Sequence, residues 1–177
     1  KIIGNLAENH NFANQLKNTR FTPIHITLLF AISGLIAIYC ILKNHYFLAS
    51  FFIILKSIID AVDGELARTK NKPSYTGRYL DSIFDIILNF LLLMSICYVS
   101  ETTFWITILA FVGIQLQGTL YNYYYVILRN KSVGGDATSK IFEYKTPRAL
   151  PGETQQAVNI LFGIYTIVYG FFDKIIH

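Results

Sequence analysis

At 177 residues, with hydrophobic side chains at 53% and a mean hydropathy of +0.43, the chain is too apolar for an ordinary soluble domain of its size. Charge is sparse and leans basic, 15 Lys and Arg against 11 Asp and Glu for a net +4. A helix that crosses a bilayer needs roughly 20 mostly apolar residues, and several stretches reach that length without the polar alternation of a water-facing helix.

The opening segment, residues 1–20, mixes Ile2, Ile3, Leu6, Phe12, Ala13 and Leu16 with Asn, Glu, His and Lys, which fits an interfacial helix or a frayed polar terminus. A first span is predicted from Thr22 to Leu42, with Thr22 as N-cap and Pro23 at the first helical position. His25 stands near the interface, where a hydrogen-bonded histidine is commoner than a ligand. Further spans are predicted at Tyr46 to Arg68, Tyr79 to Val99, Thr102 to Leu128 and Gln155 to Lys174, joined by polar or turn-rich connections. Cys40 and Cys97 fall inside spans, where cysteine behaves as a small buried hydrophobe.

Tyr121, Tyr123, Tyr124 and Tyr125 read as part of an interfacial aromatic belt. After them comes a polar connection, residues 129–153, with Gly134, Gly135, Asp136, Pro147, Pro151 and Gly152. The expected fold is an all-α, polytopic membrane helix bundle forming a single transmembrane domain over residues 1–177. No cleavable leader is evident, and an odd number of spans leaves room for a further helix beyond His177.

Basic residues orient the bundle. Lys1, Lys17, Arg20, Arg68, Lys70, Lys72, Arg78, Arg129, Lys131, Lys140, Lys145 and Arg148 lie on one side, and Lys43 and Lys174 on the other. The positive-inside rule therefore predicts a cytoplasmic N-terminus and cytoplasmic connections after the second and fourth spans. Most of these cations read as topology and lipid-headgroup determinants.

The chemistry-bearing segment joins the second and third spans. Asp60, Asp63, Asp81 and Asp85 are embedded in otherwise apolar helices, where each charge costs about 2.5–3.5 kcal/mol at the bilayer centre, so the cluster needs a partner. Asp60 and Asp63 share one helix face by spacing, and so do Asp81 and Asp85. Each pair reaches about 12 Å along its helix from Arg68 or Gly77, so a helical hairpin predicts that the pairs meet at similar depth. Carboxylates gathered in that way suit hard divalent cations such as Mg²⁺ or Mn²⁺, whereas zinc would recruit His or Cys, which the segment lacks. Gly64 and Gly77 suit close approach either of a ligand or of a neighbouring helix. Arg68 is suited to phosphate or to an interfacial anchor, and Lys56, one turn before Asp60, to an internal counter-ion.

The string D-x-x-D-G-x-x-A-R-x8-G-x3-D-x3-D, filled by Asp60, Asp63, Gly64, Ala67, Arg68, Gly77, Asp81 and Asp85, resembles the signature of the CDP-alcohol phosphotransferase family. At typical residue frequencies of roughly 3–8% per position, a chance match is far below one in a million. The motif covers only Asp60 to Asp85, and family members usually have six transmembrane helices against the five read here.

The resemblance implies an enzyme that moves a phosphatidyl or phospho-alcohol group from a CDP-linked donor to a hydroxyl acceptor and releases CMP. Asp60, Asp63, Asp81 and Asp85 would hold Mg²⁺ or Mn²⁺, two ions by expectation, with Asp85 also the general base. Gly64, Ala67, Arg68 and Gly77 would contact the CDP moiety. A homodimer among membrane lipids is implied, with the active site facing the cytoplasm and no nucleic-acid partner. The rival reading is an ion or metal transporter, which explains the acids but not the Gly, Ala and Arg spacing. An inactive bundle with paired acids gives no reason to keep four carboxylates together.

Overall fold

The computed structural model describes residues 23–69, 74–132, 143 and 145–176, with the backbone alone described at 23, 24, 62–69, 129 and 132. Among them are five helices and no strand: α1 (Pro23–Leu42), α2 (Tyr46–Thr69), α3 (Tyr75–Ser100), α4 (Phe104–Ser132) and α5 (Gln155–Ile176). The expected all-α membrane class is observed. Four stretches, His25–Leu42, Tyr75–Ser100, Phe104–Leu128 and Gln155–Ile176, are long and apolar enough to cross a membrane. At 24 residues α2 has the length, but Lys56, Asp60, Asp63, Glu65 and Arg68 interrupt its apolar character.

Pro23 opens α1, while the proposed cap Thr22 and the interfacial segment 1–20 lie outside the described residues. Two boundaries differ from expectation by a full helical turn, the others by no more than two residues. Helix α3 begins at Tyr75 rather than Tyr79, because Ser74 caps it, and α4 continues past Leu128 to Ser132 as its last turn becomes polar.

The helices form two compact units, Lys1–Lys72 with Leu88–Thr102, and Pro73–Ile87 with Thr103–His177. In the first unit, α1 and α2 make a hairpin. Asn44 takes a left-handed conformation (φ 61°), and the His45 and Asn44 N–H groups donate to the carbonyls of Cys40 (2.8 Å) and Ile41 (2.9 Å). That is a Schellman stop, with Asn in the place glycine usually holds.

Cys40, Ile41 and Ala49 form the buried centre of this unit, with Ile36, Ile53, Leu92 and Val99 packed on it. Gly34 allows the second half of α3 to approach α1: a Cβ there would stand 2.8 Å from Leu88 Cδ1. Small residues serve this purpose in membranes, where dispersion contacts drive helix association. Lys56 is buried with its ammonium 4.5 Å from the centre of the Phe30 ring, a cation–π contact that partly offsets its lost hydration.

The second unit is centred on Tyr75, Tyr79, Ile83 and Val158, with Leu161, Phe162 and Tyr165 against them. Leu150 to Glu153 is a tight turn with Pro151 second and Gly152 third at φ +95°, closed by the Glu153 N–H on the Leu150 carbonyl (3.0 Å). Thr154 then caps α5. Many large apolar side chains face outward, Phe47 at 93% and Ile167 at 82% exposure among them, as lipid contact requires.

Candidate active site

The first turn of α3 is held from within and from a distant connection. Ser74 Oγ accepts the Gly77 N–H at 2.9 Å, a standard N-cap. Glu153 Oε1 accepts the Ser74 hydroxyl (2.7 Å), the Thr76 N–H (2.7 Å) and the Thr76 hydroxyl, and its Oε2 accepts the Leu150 N–H at 3.2 Å. Burial pushes the Glu153 carboxyl upward, but the hydrogen bonds from Thr76, Ser74 and Leu150 outweigh it and hold the pKa below its ordinary 4.5. The negative charge also faces the positive end of the α3 dipole.

Because folding lowers this pKa, the stabilisation is complete above the unfolded value and is lost as pH falls through the folded one. The wild type is therefore expected to lose its advantage in unfolding temperature over Glu153→Gln as the pH drops below about 4.5. Thermal unfolding in detergent across an acid series checks this, and a constant gap would rule it out.

Next along α3, Arg78 forms an ion pair with Glu143 through Nη2 and Oε2. Its guanidinium also lies 4.8 Å from the Tyr79 ring centre and 5.6 Å from that of Tyr75. The Tyr79 hydroxyl donates to the same Glu143 oxygen. The Glu143 side chain is 5% exposed, and its Oε1 has no hydrogen-bond partner among the described residues.

Asp81 and Asp85 follow on α3, both half-buried, with Asp81 Oδ1 buried. Facing them on α5 is a ladder of tyrosines. Tyr165 packs on Tyr79 at 5.2 Å and stacks on Tyr169 at 5.2 Å, and Tyr169 lies within electrostatic reach of Asp85 and Asp81. The Tyr165 hydroxyl makes a long contact, 3.4 Å, with Asp173 Oδ2. Carboxylates on α3 thus stand within electrostatic reach of a phenol on α5.

Of the sequence candidates, Asp60 is exposed on α2, in the first unit. Asp63, Gly64, Ala67 and Arg68 are helical, and their side chains lie outside the described residues. So do Gly134, Gly135 and Asp136. Among the described residues, to which the Asp63 side chain does not belong, no three His, Cys, Asp or Glu side chains are grouped to hold a metal. The donors available on α3 are all carboxylate oxygen, which fits a hard divalent ion.

Gly77 lies in the first turn of α3. A Cβ there would meet only Ser74, its own cap, at 3.1 Å from Oγ and 3.4 Å from Cβ. Among the described residues no neighbouring helix comes within 4 Å of that position.

Residues 20–170 match the family model for CDP-alcohol phosphatidyltransferase. The chain belongs to that family. It is 32% identical over 114 residues to a CDP-diacylglycerol–serine O-phosphatidyltransferase of Saccharomyces cerevisiae, covering 59% of this chain and 41% of that protein. It is also 32% identical over 103 residues to a bifunctional IPC transferase and DIPP synthase of Thermococcus kodakarensis, covering 56% of this chain and 24% of that protein. The chain thus spans under half the length of both curated relatives.

In this CDP-alcohol phosphatidyltransferase domain, sequence reasoning passed over Glu143, Glu153, Tyr165, Tyr169 and Asp173. Asp173 was detectable as the one acid in the fifth apolar span. Tyr165, Tyr169 and Asp173 also recur at helical spacing on one face. No local pattern marks Glu143 or Glu153, whose partners at the start of α3 are 64 to 79 positions away.

Proposed function

We propose that the chain catalyses divalent-metal-dependent transfer of a phosphatidyl or phospho-alcohol group from a CDP-linked lipid donor to a hydroxyl acceptor, releasing CMP. The observation that carries this reading is the acid face of α3, where Asp81 and Asp85 follow Gly77 inside a complete family signature. CDP-diacylglycerol is the first donor to test, since one relative is named for that substrate. Serine is the first acceptor, on the same ground.

Asp60, Asp63, Asp81 and Asp85 are the residues to hold Mg²⁺ or Mn²⁺, two ions being the expectation. When bound, such ions offset the pyrophosphate charge and stabilise the departing CMP. Gly64, Ala67, Arg68 and Gly77 contact the CDP moiety, with Arg68 offering phosphate its donor fork. Asp85 takes the acceptor hydroxyl's proton as the new P–O bond forms and the bond to CMP breaks. Residues 1–177 act as one transferase domain, working as a homodimer whose site opens to the cytoplasm.

The test is purified protein in liposomes with CDP-diacylglycerol, Mg²⁺ and a panel of hydroxyl acceptors including serine. CMP release that requires both metal and acceptor is expected. Metal flux across the membrane without CMP would instead establish the transporter reading.

A further inference from the structure

We infer that Glu143 and Glu153, two carboxylates from the connection ahead of α5, are positioning residues that hold the first turn of α3 so that Gly77 is presented to the nucleotide end of the donor. This rests on the transferase reading above. Glu153 holds the residues before the glycine, Ser74 and Thr76, through the Thr76 N–H and both hydroxyls. Glu143 holds those after it, Arg78 and Tyr79, through an ion pair and a phenol hydrogen bond. The glycine between them is bracketed, and among the described residues only its own cap lies within 4 Å of a hypothetical Cβ.

The arrangement is more than a helix cap. Ser74 already caps the Gly77 N–H, so Glu153 adds a second, charged acceptor from a distant part of the chain. The Glu143 side chain is almost fully buried and holds the Arg78 guanidinium by an ion pair, 4.8 Å from the Tyr79 ring centre and 5.6 Å from that of Tyr75. A glycine chosen for close approach gains nothing unless its backbone is held still, because a ligand that must first order the turn binds more weakly.

The experiment compares wild type with Glu143→Gln and Glu153→Gln, measuring KM for CDP-diacylglycerol, KM for the acceptor, kcat and unfolding temperature. A rise of about tenfold in donor KM is expected for each, as for loss of a charge-assisted hydrogen bond, with acceptor KM little changed and kcat falling less. Glu143→Asp and Glu153→Asp, which keep the charge on a shorter stem, should recover part of the donor affinity, and they are decisive where a Gln variant does not fold. An unchanged donor KM in an active enzyme would overturn the inference, and so would donor KM, acceptor KM and kcat worsening together without rescue by Asp. If wild type releases no CMP from any CDP-linked donor, the transferase reading itself has failed and the inference goes with it.

Discussion

Asp85→Asn is expected to lower the rate of CMP release by about 10²- to 10⁴-fold, the usual contribution of a positioned general base. Asparagine keeps the volume and the hydrogen-bonding shape of aspartate but cannot accept the acceptor's proton. Asp85 is half-buried on α3, one turn beyond Asp81 and facing the tyrosine ladder of α5, a setting drier than bulk water. There the loss of a carboxylate is not easily made good by solvent. Because Asp85 also belongs to the proposed ligand set, the variant should be assayed over a range of Mg²⁺. Recovery at high metal would identify a ligand instead of a base, whereas full activity at ordinary metal with an unchanged unfolding temperature would remove Asp85 from the chemistry.

Stripping divalent metal from the purified protein should abolish CMP release, and Mg²⁺ or Mn²⁺ should restore it. The sharper measurement uses Asp81→Asn. Altering a group in the outer shell of a metal site costs about 10- to 100-fold in affinity or activity, so losing a ligand should raise the half-activating Mg²⁺ concentration by about tenfold or more. Binding of Mn²⁺, followed by electron paramagnetic resonance, should weaken in parallel. Transfer that survives exhaustive chelation would leave the acid face of α3 without its proposed role.

Much of the fold was legible because its cause is local. The length of an apolar stretch is set by the thickness of a bilayer, so α1, α3, α4 and α5 announce themselves by composition. The first span ends at Leu42 as expected, with Asn44 supplying the left-handed residue that glycine usually provides. The start of α3 was placed late because Ser74 and Thr76 look like loop, while Ser74 and Glu153 together cap the first turn that begins at Tyr75.

The candidate site divides in the same way. By itself the sequence determined the membrane class, the motif from Asp60 to Asp85 and the sharing of a helix face by Asp81 and Asp85, because helical period and span length act within one stretch of chain. Tertiary structure decided that α5 sets tyrosines near the acids of α3, and that Glu143 and Glu153 grip the start of α3 across 64 to 79 residues. Contacts of that range depend on how the chain folds back on itself, which no local pattern of apolar and polar residues encodes.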